Sequence, residues 1–205
     1  VLDLQLAMLE HLARVAPDLP VPRVVHTRGG FAATTVGAHH VRVVSHLPGQ
    51  TLASVPRTPE LEVELGRLLG RLSAGLRGFG HPAAHRPGFL WNLDDAALVR
   101  SWADDVADAD DRAVVATAFR RHEQRVLPVL HELPAQVLHQ DANDFNVLVH
   151  AARVGGLIDF GDATFGRRVN ELAVGLAYAL LDVPDVVATA RRVIGGFVGP
   201  PPPQP

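Results

Sequence analysis

The 205 residues carry 19 basic and 22 acidic side chains, a formal charge of −3, which argues against binding driven by nucleic-acid phosphates. There is no cysteine, so disulfides, thiolate chemistry and cysteine-based zinc sites are excluded and a reducing, cytoplasmic setting is expected. Hydrophobic residues make up 47%, enough to build a core, yet no run is long enough to span a membrane and the N-terminus lacks a signal-peptide layout.

In chain order, "VLDLQLAMLEHLARVA" places Leu2, Leu6, Leu9, Leu12 and Ala13 on one helical face. Pro20 and Pro22 then force an extended entry into short β-like runs, "RVVHT", "FAATTV" and "HVRVVSHL", with turns at 28–30 and Gly37. "TPELEVELGRLLGRLSAGLRGF" predicts a helix capped by Thr58, with Pro59 in its first turn and a stripe of Leu61, Leu65, Leu68, Leu69, Leu72 and Leu76. Gly66 and Gly70 form a GxxxG pattern flanked by arginines, which implies close packing in a soluble core rather than a membrane dimer face. "DDAALVRSWADDV" and "DDRAVVATAFRRHEQRVLPVLHEL" predict two further helices. The acidic stretch between them reads as a solvated face with a helix N-cap; its sharper alternative is attraction for a cationic substrate. "AQVLH", "FNVLV" and "VGGLIDF" predict three strands, "VNELAVGLAYALL" and "VPDVVATARRVIGGF" two apolar helices, and "GPPPPQP" an extended tail. The expected class is α+β with helices dominant.

The loop "HQDANDFN" concentrates His139, Asp141, Asn143, Asp144 and Asn146 between two apolar runs. A hairpin centred on Ala152 and Arg153 would set Asn146 opposite Asp159, although Gly155 and Gly156 leave the register open. An amide and a carboxylate at one hairpin end suit Mg²⁺, which takes one or two carboxylates plus water and substrate phosphates. Asp141, on the same edge, would orient a substrate hydroxyl; in a loose phosphoryl-transfer transition state positioning outweighs strong basicity. The bland alternative is a polar corner built from Asx turns.

These segments resemble the aminoglycoside phosphotransferase and choline kinase families, relatives of protein kinases. "HQDANDFN" is similar to their catalytic loop and "IDFGD" to their metal-binding segment. "PVPRVVHTRGG", "VVSHLPGQTL", "LWNLD" and "IDFGDATFGRRVNELAVGLAYALL" look most like the hydroxylysine kinase branch, which also occurs fused to class III aminotransferases. The likeness covers nearly all of residues 1–198. It implies a protein-kinase-like two-lobe fold, with a partial small lobe at 1–47, a large lobe at 48–198 and a tail at 199–205. It implies Asp141 as the catalytic aspartate, Asn146 and Asp159 as Mg²⁺ ligands, His139 as a brace, and Glu171 as the acid holding the catalytic loop. Backbone groups near Ser45, His46 and Leu47 would meet the base of ATP or GTP. Asp3 or Gln5 falls near the glutamate that pairs with a phosphate-binding lysine. The acceptor would be a hydroxyl on a small amine-containing metabolite such as hydroxylysine or an amino alcohol.

Several departures accompany the likeness, one being that the family's chain continues well past Phe197 with helices that shape the acceptor pocket, where this one stops at a proline tail. The chain has no lysine, all 19 basic residues being arginine, and no Gly-rich phosphate loop; both would lie upstream of Val1. Val1 in place of Met reads as a piece of a longer protein, or as an alternative start codon written literally. Gln140 stands where the family usually has Gly. The fragment alone is therefore expected to be weak or inactive. A non-catalytic remnant serving a larger fusion, and a metal-dependent hydrolase using Asp141 and Asp159, are the competing readings. Asp162 reads as a structural cap or as a group behind the metal ligands, and Trp91 as packing or as a border of the acceptor site. His39–His40 reads as a partly exposed strand pair rather than a metal site. The i, i+4 spacing of His81 and His85 is discounted as a metal pair because Pro82 and nearby glycines predict a loop.

Overall fold

The computed structural model describes residues 1–199; the proline-rich tail expected after Gly199 lies outside the described residues. Helix α1 (Leu2–Val15) buries Leu4, Leu6, Met8, Leu9 and Leu12. The predicted face is thus rotated: Leu4 and Met8 point inward, while Leu2 is half-buried and Ala13 exposed. Leu2 sits in the first turn, so Leu4 and Met8 reach the core before it does.

Two small antiparallel pairs follow. β1 (Val24–Val25) pairs with β4 (Val43–Val44), and β2 (Thr34–Val36) with β3 (His39–Val41). His39 and His40 lie on an exposed strand, as expected. β5 (Gln50–Thr51) leaves this region and pairs antiparallel with the strand at residues 147–150 that follows the loop 139–146.

Helix α2 (Pro59–Gly75) starts where Thr58 Oγ1 accepts from Leu61 N (3.3 Å), with Pro59 at its first position. Leu61, Leu65, Leu68, Leu69, Leu72 and Leu76 are all buried, each contributing about 1.5–3 kcal/mol by area. The helix packs on α5 (Val169–Ala179) and above all on α6 (Val186–Val198). A Cβ on Gly66 would strike the Val193 carbonyl, and one on Gly196 would strike the Val63 carbonyl. The glycines let the backbones of the two helices touch. Glu62 and Arg192 pair beside this seam, and Glu62 also accepts from Thr189 Oγ1 (3.0 Å).

The segment Leu93–Asp105 forms tight 3₁₀ turns interrupted at Asp95 instead of a regular helix. Its start is pulled away by side-chain bonds: Asn92 Oδ1 accepts from Asp94 N, and Asp94 accepts from Asn170 Nδ2 (2.8 Å) and Arg167 N. Asp108 caps α3 (Ala109–Arg125) by accepting from Asp110 N and Asp111 N, both 2.9 Å, which is the N-cap role expected of the acidic stretch. Pro128 sits in the short α4 (Leu127–Leu130) that follows.

The three predicted strands form as β6 (Ala135–Leu138), β7 (Val147–His150) and β8 (Arg153–Leu157). A fourth, β9 (Thr164–Arg167), pairs antiparallel with β6 from Ala135↔Arg167 to Leu138↔Thr164. β5, β7 and β8 make the other sheet. The β7–β8 turn falls on Ala151 and Ala152, both with positive φ (49° and 61°), one residue earlier than expected. A bulge at Gly155 then shifts the register, since Leu148 faces Gly156 but Val149 faces Val154. Asn146 O therefore accepts from Ile158 N (3.0 Å). Asn146 is opposite Ile158, not Asp159 as the guessed register had it, although both groups stay at one end of the hairpin. His81 and His85 flank a 3₁₀ turn: His81 Nδ1 accepts from Ala83 N (3.2 Å) and His85 stacks on Phe165, so they form no metal pair.

Candidate active site

β6 and β7 flank the loop 139–146, and Asp159 follows the end of β8. Loop 139–146 is tied internally by its own short side chains. Asn143 Oδ1 accepts from Phe145 N (2.8 Å) and Asn146 N (3.0 Å), turning the chain back into β7. Asn143 Nδ2 donates to Asp141 Oδ1 (2.8 Å), and Asn146 Nδ2 donates to Asp141 Oδ2 (2.6 Å) and to its carbonyl (2.9 Å). Asp141 is thus aimed by two amides, within the kind of polar corner built from Asx turns that the bland alternative describes. Because Asn146 spends its nitrogen on Asp141, its Oδ1 is left for another partner.

His139 is fully buried beneath the loop and meets Phe160 edge-on. Its Nε2 donates to Ile158 O (3.0 Å) and its Nδ1 accepts from Asp141 N (3.2 Å). Those partners require the neutral Nε2–H tautomer. Burial pushes its pKa down to about 4, against weaker opposing effects of the Ile158 carbonyl and Asp159. Glu171, at the start of α5, is also fully buried, and its Oε2 accepts from His139 N (2.8 Å). Burial raises its pKa to about 7, while the backbone N–H groups of His139 and Gln140 pull it back. The loop is therefore braced from two sides, by a histidine and a glutamate.

Asp159 is exposed and has a left-handed backbone, φ 59°; its Oδ1 accepts from Gly161 N (3.0 Å). The pKa of Asp141 is raised, first by burial and then by repulsion from Asp162 and Asp159, with Asn143 and Asn146 opposing. Asn146 Oδ1 and Asp159 are hard oxygen donors of the kind Mg²⁺ accepts, with substrate phosphates and water to complete its shell. Among the described residues no three His, Asp or Glu side chains cluster as a metal centre.

Arg86 Nη1 reaches the Gly161 and Ala163 carbonyls (3.2 and 3.3 Å) and fixes the turn after Asp159. On the other side of the loop, Arg57 holds Asp144 (3.3 Å) and the Tyr178 carbonyl (2.8 Å). Neither arginine carries a local sequence signal, since both partners are remote in the chain. Gln5, on α1, lies beside this segment: a Cβ on Gly161 would be 3.9 Å from its Nε2. In the connector, Ser45 N donates to Arg23 O (2.8 Å) and its hydroxyl accepts from Arg23 N (2.9 Å). Ser45 thus extends the β1–β4 pairing, and His46 and Leu47 follow it, with Leu47 packed on Gly156.

A cavity of about 210 Å³ opens against Asp141, lined by Trp91, Gln140, Asp162 and Tyr178 among others. Larger cavities of about 590 and 770 Å³ lie behind Asp144 and beside the Ala151–Ala152 turn. Neither includes Asp141, so the smaller one is the functional candidate.

The architecture is that of a protein-kinase-like α+β fold. It overlays on an amicoumacin kinase bound to AMP-PNP, Ca²⁺ and its antibiotic with a TM-score of 0.65, at 15% identity, covering 95% of this chain and 61% of that one. An aminoglycoside phosphotransferase in complex with GDP and kanamycin overlays at 0.62 and 17% identity, covering 96% and 66%. The model of the phosphotransferase enzyme family matches residues 2–201, and the chain belongs to that family. It is 27% identical to hydroxylysine kinase of Bos taurus over 202 residues, covering 89% of this chain and 54% of the relative. It is 31% identical to homoserine kinase of Pseudomonas aeruginosa (strain LESB58) over 161 residues, covering 77% and 48%. The chain spans about half the length of the curated relatives it matches. No helix among the described residues is long and apolar enough to cross a membrane.

Proposed function

We propose that this chain carries the phosphate-transfer part of a small-molecule kinase. It would move the γ-phosphate of ATP or GTP to a hydroxyl of a small amine-containing metabolite, of the kind named by its hydroxylysine, homoserine and aminopropanol kinase relatives. The observation that carries this reading is the placement of Asp141 between two sites. One side accepts from Asn146, at the same hairpin end as Asp159, and the other borders the 210 Å³ cavity.

Asp141 accepts the acceptor's hydroxyl proton and aims its oxygen in line with the phosphate. Its raised pKa suits that role, because a carboxylate crowded by burial and by Asp162 takes a proton readily. Asn143 and Asn146 keep it oriented, which matters more than basicity in a loose transition state. Asn146 and Asp159 would hold Mg²⁺, which neutralises phosphate charge when bound. The base would meet backbone groups of His46 and Leu47 and the carbonyl of Ser45. On this reading residues 1–47 belong to the small lobe and 48–198 to the large one.

The competing reading is a module that binds nucleotide without turning it over. Calorimetric titration with Mg-ATP and Mg-GTP tests the first reading's half-site, with Asp159→Ala as the control. Metal-dependent binding, weakened at least about tenfold in the variant, is expected. Binding indifferent to Mg²⁺ and to Asp159, or none by folded protein, overturns it. Phosphotransfer to an alcohol panel then separates a kinase from a silent binder.

A further inference from the structure

Helix α3 stands off the core. None of its residues is buried, and none is buried in the 3₁₀ turns of 93–105 or in α4, the elements it packs on. Its inner side carries Arg112, Val115, Phe119 and His122, all half-buried. At the edge of that side Glu123 pairs with Arg100 of the 3₁₀ turns (2.9 Å).

The opposite side has no such partners. At 3.6 residues per turn, Asp110, Ala113, Val114, Thr117, Arg121 and Arg125 fall on one stripe. Thr117 is half-buried and the other five are exposed, Val114 by 69%. Asp110, Asp111, Arg121 and Arg125 enter no ion pair among the described residues. Nor can the two ends neutralise each other along the helix, since Asp110 and Arg121 stand about 16 Å apart at 1.5 Å per residue. The stripe is acidic at its start, small and apolar in its middle and basic at its end. Those signs suit the helix's own dipole, which accounts for the charges but not for an exposed valine and alanine between them.

A surface in that order is complementary to its own reverse. Laid antiparallel on a second copy, with Thr117 and Ala118 at the crossing, Asp110 comes level with Arg125 of the copy. Val114 comes level with Arg121 of the copy, whose aliphatic stem can cover it. A two-fold axis repeats both matches at the other end. A parallel arrangement would set acid on acid and base on base. We propose that α3 is a homodimer contact, through which two copies of this chain pair antiparallel along this stripe. The contact does not depend on the phosphotransferase reading. A helix pair about 25 Å long stands at the small end of specific interfaces, so the dimer is reversible, with a Kd on the order of tens of micromolar.

Sedimentation equilibrium of this chain from about 5 to 300 µM brackets that value. A monomer–dimer equilibrium is expected, weakened about fivefold or more between roughly 50 and 500 mM NaCl, because the end pairs are solvent-exposed. Two charge-reversed variants make the decisive test. Asp110→Arg with Asp111→Arg makes both ends of the stripe basic, and Arg121→Asp with Arg125→Asp makes both acidic. Each alone should lose about tenfold or more in association, and an equimolar mixture should recover to within about threefold of wild type, because the heterodimer matches both ends. Circular dichroism should show both folded, since no substituted residue is buried. Val114→Glu leaves the ends intact and should also weaken the dimer; should a reversed variant unfold, this one decides. A wild-type chain that stays monomeric across the range overturns the proposal. So does a dimer that neither the reversed variants nor Val114→Glu weakens, which places the contact on another face. Folded, monomeric variants that fail to recombine overturn it too, as does growth beyond a dimer, because a two-fold contact closes on itself.

Discussion

Replacing Glu171 by Gln should tilt the dependence of stability on pH in a calculable way. Glu171 has an ordinary value of 4.5 and about 7 in the fold, so the native state keeps a proton that the unfolded chain releases. Its contribution is fully present below pH 4.5 and is lost as pH rises to about 7. At 1.36 kcal/mol per unit this amounts to about 3 kcal/mol. His139 runs the opposite way. Its value falls from 6.5 to about 4, so its contribution is present above pH 6.5 and is lost as pH falls to about 4, again about 3 kcal/mol. Between pH 4.5 and 6.5 the two slopes cancel, and this pair leaves stability level. The Gln variant removes one slope. Its unfolding free energy should fall as pH drops from 6.5 to 4.5, relative to wild type, by about 3 kcal/mol. Urea unfolding of both proteins at half-unit steps from pH 4.5 to 7.5 reads that difference, in which all other titrating groups cancel. A difference that does not vary with pH would refute the claim that Glu171 is buried as a titrating acid under the loop. The same logic has a local consequence. Protonating His139 at Nδ1 removes the acceptor of Asp141 N, so the loop 139–146 should loosen before the fold does on acidification.

Gly66→Ala should lower stability by about 2–3 kcal/mol, seen as a fall in melting temperature, because its methyl meets the Val193 carbonyl, a backbone group with nowhere to go. Gly195→Ala, whose Cβ meets nothing within 4 Å, is the paired control and should not destabilise. Ala151→Asn with Ala152→Gly should stabilise the protein by about 1 kcal/mol, since both turn residues hold positive φ that those side chains suit better. A loss of stability in that double variant would contradict the assigned turn.

Much of the site was legible in the chain because its chemistry is local. Asp141, Asn143 and Asn146 bond one another within a few residues, so "DANDFN" already contained the turn that the fold displays. The leucine stripe of α2 was equally readable, because one helix facing one core has a single period. The hairpin's existence was readable too, but not its register. Gly155 permits a bulge and Ala151–Ala152 accept a strained turn, and neither preference is written in residue type. β9 escaped because "TFGR" has no strand pattern of its own and is a strand only through pairing with β6. Tertiary structure alone decided what stands behind the loop. Arg57 and Arg86 reach partners more than seventy residues away. The stretch "LWNLD" turned out to anchor β9 and α5 through Asn92 and Asp94. The departure at Gln140 was visible as a letter, but its left-handed backbone and unpartnered oxygen exist only once α5 and the 91–93 segment have closed around it. Short-range hydrogen bonds are encoded by neighbours and survive reading in one dimension. Burial, and the pKa shifts and unmet acceptors that burial creates, are made by residues distant in the chain.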